Sequence, residues 1–128
     1  MTQTWPPRAY ELTFEQHPAF LLADVRCDDG SLEVKKAYLT EIGEKCVELG
    51  AARVLIDRRV PTAVSNIESH LAIDAFAEAS PAGLRAAIVD TNELSRQRLI
   101  FGVRTAEPKE IVINVFDDRN DAESWLTE

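Results

Sequence analysis

The stretch from Arg53 to Ala79 constrains this chain most. Ala52-Arg53-Val54-Leu55-Ile56 is the pattern of a buried strand, and it runs into a charged cluster, Asp57-Arg58-Arg59, and then Pro61. Val64, Ile67, Leu71, Ala75, Phe76 and Ala79 follow at helical spacing, which predicts a helix with those residues on its core face. Strand followed by helix points to a mostly parallel α/β sheet, where function gathers at the strand ends and helix starts. Asp57 to Glu68 is therefore the first place to look. The residues there do not make a recognisable catalytic set.

The length of 128 residues suggests one domain. Residues 1–7 read as a lead-in, because the paired prolines Pro6-Pro7 enter neither a helix nor a central strand, and residues 8–128 read as the domain. A domain this size buries roughly two thirds of its unfolded surface and needs no disulfide or metal to fold. The net charge of −8 argues against nucleic acid, which calls for a basic face, and against anionic membranes. Cys27 and Cys46 have no CxxC or Cys/His spacing, so they are expected as reduced thiols, with no metal and no redox cofactor. No signal-peptide pattern and no apolar run of about 20 residues is present, so the expected location is cytoplasmic, without membrane insertion.

Tyr10 to Phe14 alternates as a half-buried strand, and Ala19 to Arg26 is a second, more apolar one; the short link predicts a hairpin. Ser31 is a good N-cap for a helix over Leu32 to Leu49, with Gly50 at its left-handed end. Leu39, Ile42, Cys46 and Leu49 line its expected core face, with Lys35, Lys36, Glu41, Glu44, Lys45 and Glu48 solvated. Ser80-Pro81-Ala82-Gly83 breaks the next helix, and Leu84 to Val89 is another buried strand. A helix from Glu93 to Thr105, a loop at Glu107-Pro108-Lys109, a strand from Ile111 to Phe116 and a short helix capped by Asp117 or Asp118 complete the chain. The predicted order is β-β-α-β-α-β-α-β-α: an α/β fold with a mixed, mostly parallel sheet of about five strands.

This order resembles the STAS-like superfamily, and within it the small stand-alone SpoIIAA-like (STAS/SEC14-type) bacterial proteins. The residues that carry the resemblance are Asp29-Gly30-Ser31-Leu32, Val54-Leu55-Ile56-Asp57, and Val115-Phe116-Asp117-Asp118 with Ala122-Glu123-Ser124-Trp125-Leu126. In anti-sigma factor antagonists of that superfamily the central strand ends in an Asp-Ser-Ser/Thr-Gly turn whose serine is phosphorylated, and the added charge disrupts binding. Here the matching stretch runs from Asp57 to Ser65 and lacks the Ser-Gly core. Asp57 loosely matches the aspartate, and Thr62 and Ser65 are the nearby hydroxyls. The SEC14-like comparison implies an apolar ligand near the second helix.

Three groups of residues are candidate sites. Asp57-Arg58-Arg59, Asp90-Thr91-Asn92 and Asp117-Asp118 should share one edge of the sheet, where two arginines and helix N-termini could hold an anion; the plainer reading makes the acidic residues helix caps. Ser65, Asn66, Glu68, Ser69 and His70 offer hydroxyls and a base, but Ser69 and His70 are adjacent on a helix and point about 100° apart. His70, Ile73 and Ala77 form a stripe beside the expected core face, which places Ile73 near the surface as a groove or dimer contact. The helix from Glu93 to Thr105 carries Arg96, Arg98 and Arg104, a basic face for an acidic partner or a solvated face.

The reading that fits best is a non-enzymatic regulatory or small-ligand-binding module. Its expected contact surface is Asp57, Arg58, Arg59, Thr62, Ser65 and His70, and its partner a protein or a small anionic or apolar ligand. The alternatives are a small hydrolase or transferase using His70 or Asp57, and a homodimeric scaffold joined through Ile73 or the basic helix.

Overall fold

A computed structural model describes residues 10–61, 65–106 and 110–128. The expected loop at Glu107-Pro108-Lys109, the helix residue Val64 and the lead-in lie outside them. The elements are β1 (Glu11–Gln16), β2 (Leu21–Arg26), α1 (Leu32–Leu49), β3 (Arg53–Arg59), α2 (Asn66–Ala79), β4 (Arg85–Val89), α3 (Glu93–Ala106), β5 (Val112–Phe116) and α4 (Arg119–Leu126). β1 extends through Glu15 and Gln16, which the sequence places in the turn, because both pair with the start of β2.

β1 and β2 form the antiparallel hairpin, and β2, β3, β4 and β5 are parallel. The sheet order is β1-β2-β3-β4-β5, so every crossover moves one strand along in the same direction. α1, α2 and α3 therefore form one layer on one face, with α2 in the middle, packed on both neighbours. α4 sits on the other face, against β3, β4 and β5. With no reversal of strand order, the sheet lacks the switch point at which open α/β sheets commonly form a ligand crevice.

Strand alternation divides the interior in two. Val54, Ile56, Ala86 and Ile88 face the three-helix layer with Leu39, Ile42, Ile73, Phe76 and Leu99. Leu22, Leu55, Ala87 and Val89 face the other way, onto Ala122 and Leu126 of α4. The caps follow the sequence. Ser31 Oγ accepts the Val34 N–H at 3.3 Å, Gly50 takes φ 63°, and Asp118 rather than Asp117 caps α4.

Two helix faces differ from expectation. On α1, Lys35 is buried at 1% exposure while Leu49 is 39% exposed; Val34 and Tyr38 take the place given to Leu49. On α2 the buried residues are Ser69, Ala72, Ile73 and Phe76, whereas Ile67 and Leu71 are 69% and 40% exposed. Close helix contacts explain the rotation. A Cβ on Gly43 of α1 would lie 2.9 Å from Ala79 Cβ, and one on Gly102 of α3 would lie 2.7 Å from the Ser69 backbone. Helices that near need small residues between them, so α2 turns its small residues toward its neighbours. Ile73, fully buried, is not available as a dimer contact.

Candidate functional site

The end of β3 does not gather its charges. Asp57, Arg58 and Arg59 alternate across the sheet. Asp57 faces α4, where its Oδ2 lies 3.9 Å from Arg119 Nη1. Arg58 turns into the three-helix layer and its side chain is only 3% exposed. Arg59 is exposed and lines an open groove of about 540 Å³ with Tyr10, Glu11, Arg26, Cys27, Asp28 and Asp29. Of the two arginines expected to hold an anion together, one is inside and the other at the surface. Reversing the charge at Arg58 would therefore test stability, not a surface contact.

Arg58 lies in a buried polar cluster. Its Nε is 3.5 Å from Asp90 Oδ2 and makes no hydrogen bond among the described residues. Asp90 is itself only 4% exposed; its two oxygens accept the Ser95 hydroxyl at 2.5 Å and the Asn92 N–H at 2.9 Å. Lys35 joins from α1, and its Nζ donates to the Gly30 carbonyl at 2.5 Å. Burial, and then the nearby Arg58 charge, lowers the Lys35 pKa. Tyr38 is fully buried, its hydroxyl has no hydrogen-bond partner among the described residues, and burial pushes it up to about 12. Cys27 is half-buried; burial raises its thiol, which donates to the Asp29 carbonyl at 3.2 Å. Cys27 and Cys46 are both free.

Sequence reasoning missed Lys35 and Tyr38. Tyr38 was legible, because Val34, Tyr38 and Ile42 repeat every four residues. Lys35 carried no such signal, since it reads like its solvated neighbour Lys36.

Ser65 is the N-cap of α2: its Oγ accepts the Glu68 N–H at 3.2 Å. Thr62 lies outside the described residues. His70 meets α3, with Nδ1 2.8 Å from Thr105 Oγ1. The Thr105 hydroxyl donates to the Phe101 carbonyl at 2.8 Å, so His70 Nδ1 is the donor of the pair. No carboxylate pairs with His70 among the described residues, and the hydroxyl it reaches is already committed.

Beside this cap, α2 leaves Ile67 and Leu71 exposed on successive turns. On α3, Arg96 turns back to donate to the Asp90 carbonyl, while Leu94, Arg98, Phe101 and Arg104 line a shallow groove with Asn66. The expected basic face is thus reduced to Arg98 and Arg104.

No family model matches the chain, and no curated protein matches it either. Among solved structures it is similar to the crystal structure of an anti-sigma factor antagonist from Mycobacterium paratuberculosis. That match covers 96% of this chain and 98% of the other, with a TM-score of 0.67 and 15% sequence identity. The fold is STAS-like, of the SpoIIAA type, as the order of elements and the closing Val115–Leu126 motif implied. No helix among the described residues is long and apolar enough to cross a membrane.

Proposed function

We propose that this chain is a small, non-enzymatic regulatory module that acts by contact with a protein partner, at the surface where β3 ends and α2 begins. The observation that carries the reading is the apolar pair Ile67 and Leu71, exposed on the first turns of α2 close to the Ser65 cap. Their exposure on neighbouring turns gives this end of α2 an apolar surface for a protein partner to cover. Arg59 supplies an exposed charge at the same end of β3, and Thr62 belongs to the same connection by sequence. The similarity to an anti-sigma factor antagonist supports regulation by protein contact. His70 and Asp57 are engaged by Thr105 and Arg119, which favours contact over catalysis.

The test is affinity capture from a lysate of the native host with wild-type protein, Arg59→Glu and Ile67→Asp. Both substituted side chains are exposed, so melting temperatures should stay close to wild type. A partner held by wild type and lost by the variants supports the surface. Equal capture by all three proteins rules it out.

A further inference from the structure

The chain carries 22 acidic residues against 14 basic ones. Arg26, Arg58, Arg85 and Arg119 each lie within ion-pair distance of a carboxylate. The groove along α3 departs from that balance. It has a volume of about 460 Å³, and its lining includes Asn66, Leu94, Gln97, Arg98, Phe101 and Arg104 but no acidic residue. Neither Arg98 nor Arg104 makes an ion pair or a hydrogen bond among the described residues.

The same groove is apolar between its charges. Leu94, Arg98 and Phe101 stand at i, i+4 and i+7 on α3, so they share one stripe, and Arg104 follows one turn after Phe101. From Leu94 to Arg104 the stripe is about 15 Å long. Leu94 and Phe101 are exposed, and across the groove Asn66 precedes the exposed Ile67 on the first turn of α2. The two helices are held close. A Cβ on Gly102 would lie 2.7 Å from the Ser69 backbone, and one turn further on His70 Nδ1 is 2.8 Å from Thr105 Oγ1. The groove is therefore set by the packing of α2 on α3, and filling it calls for little ordering of this chain.

We propose that this groove seats an acidic amphipathic helix of a protein partner. The proposal rests on the reading that the chain works by protein contact, and it adds the chemistry of what is contacted. Apolar side chains on successive turns of the partner cover Leu94 and Phe101, and carboxylates between them meet Arg98 and Arg104. Arginine suits this role, because its planar fork matches a carboxylate. The furrow between two packed helices takes a third by ridges into grooves. An extended segment would find no sheet edge there to pair its backbone N–H and C=O groups. An anionic membrane is also negative, but the net charge of −8 opposes approach to it.

The experiment is selection of displayed random peptides, about four helical turns long, against the whole chain, with affinities then measured on the enriched sequences as synthetic peptides. Enriched peptides should carry an excess of acidic residues with Leu or Phe at helical spacing. They should bind Arg98→Glu/Arg104→Glu about tenfold more weakly, and wild type more weakly as salt rises. Arg104 is exposed, so Arg104→Glu alone carries the test if the double variant does not fold, with a smaller loss in the same direction. No enrichment, peptides without the acidic excess, or equal binding by the variants overturns the proposal. Pelleting of the chain with phosphatidylserine vesicles, lost in the same variants, makes a membrane the occupant and overturns it too. The selection needs no host partner. If lysate capture finds none while the peptides behave as expected, the functional reading fails and the preference of the groove stands. A partner lost by Ile67→Asp but held by Arg98→Glu/Arg104→Glu leaves the functional reading standing and removes the groove.

Discussion

Arg58 lies one residue before the end of its strand in a run of charges, yet its side chain is only 3% exposed. Removing one partner of a buried ion pair typically costs about 3–5 kcal/mol, because the other charge stays buried alone. Arg58→Glu does worse, since it sets a second carboxylate beside Asp90. Urea denaturation should find that variant largely unfolded under conditions where Arg59→Glu is folded. Cys46 gives the same scale a pH dependence. Burial holds its thiol up at about 11, from an ordinary 9.0. As pH rises the unfolded chain loses this proton first, so the stabilisation is complete below pH 9.0 and is lost toward about 11. The loss is on the order of 2–3 kcal/mol. Tyr38 acts with the same sign between 10.0 and about 12. Lys35, lowered by burial, acts with the opposite sign, because the unfolded chain keeps its proton longer. Stability measured in urea from about pH 8 to about pH 10.5 should therefore fall less steeply in Cys46→Ala than in wild type.

At the scale of elements, α2 decides how the helical layer fits together. Its position between α1 and α3 demands small residues on both flanks, and Gly43 and Gly102 supply the matching gaps. Gly102→Ala would push a Cβ to within 2.7 Å of the Ser69 carbonyl. Backbone gives way less easily than a side chain, so α2 and α3 must separate. Overpacking of this kind costs about 1–3 kcal/mol, readable as a lower urea midpoint. Ser65→Ala removes the cap that takes the Glu68 N–H, at a cost of about 1 kcal/mol in the same assay. The hydrophobic pattern of α2 shows why its face was misread. Ile67 and Leu71 are larger than Ser69 and Ala72, so size alone selects the stripe that the helix leaves outside. What turns it inward is the nearness of two other helices, which no window of α2 contains.

On the scale of the whole molecule, one sheet carries two unequal interiors. Three helices cover one face, while the eight-residue α4 covers Leu55, Ala87 and Val89 on the other. Leu126 is fully buried there, and Arg85 ties the helix down by lying over the Trp125 ring at 4.1 Å and donating to its carbonyl at 2.8 Å. Leu126→Ala should cost about 2–5 kcal/mol, and calorimetry should show it as a lower melting temperature. The smaller interior has few other side chains to close the gap, which places the effect toward the upper part of that range.

Local chemistry carried the sequence a long way. Alternation and continuous apolar runs defined five strands, Ser31, Gly50 and the Asp117-Asp118 pair marked helix ends, and together they gave the order of elements. These signals are legible because each depends on residues a few positions apart. Burial of Arg58 and Lys35, the turned face of α2 and the loss of Ile73 from the surface depend on contacts between distant segments. The proposed site follows the same division: its expected place, at the end of β3, is a reading of the sequence. Which of its charges face water and which lie inside was decided by the packing of three helices on one face of the sheet and one on the other.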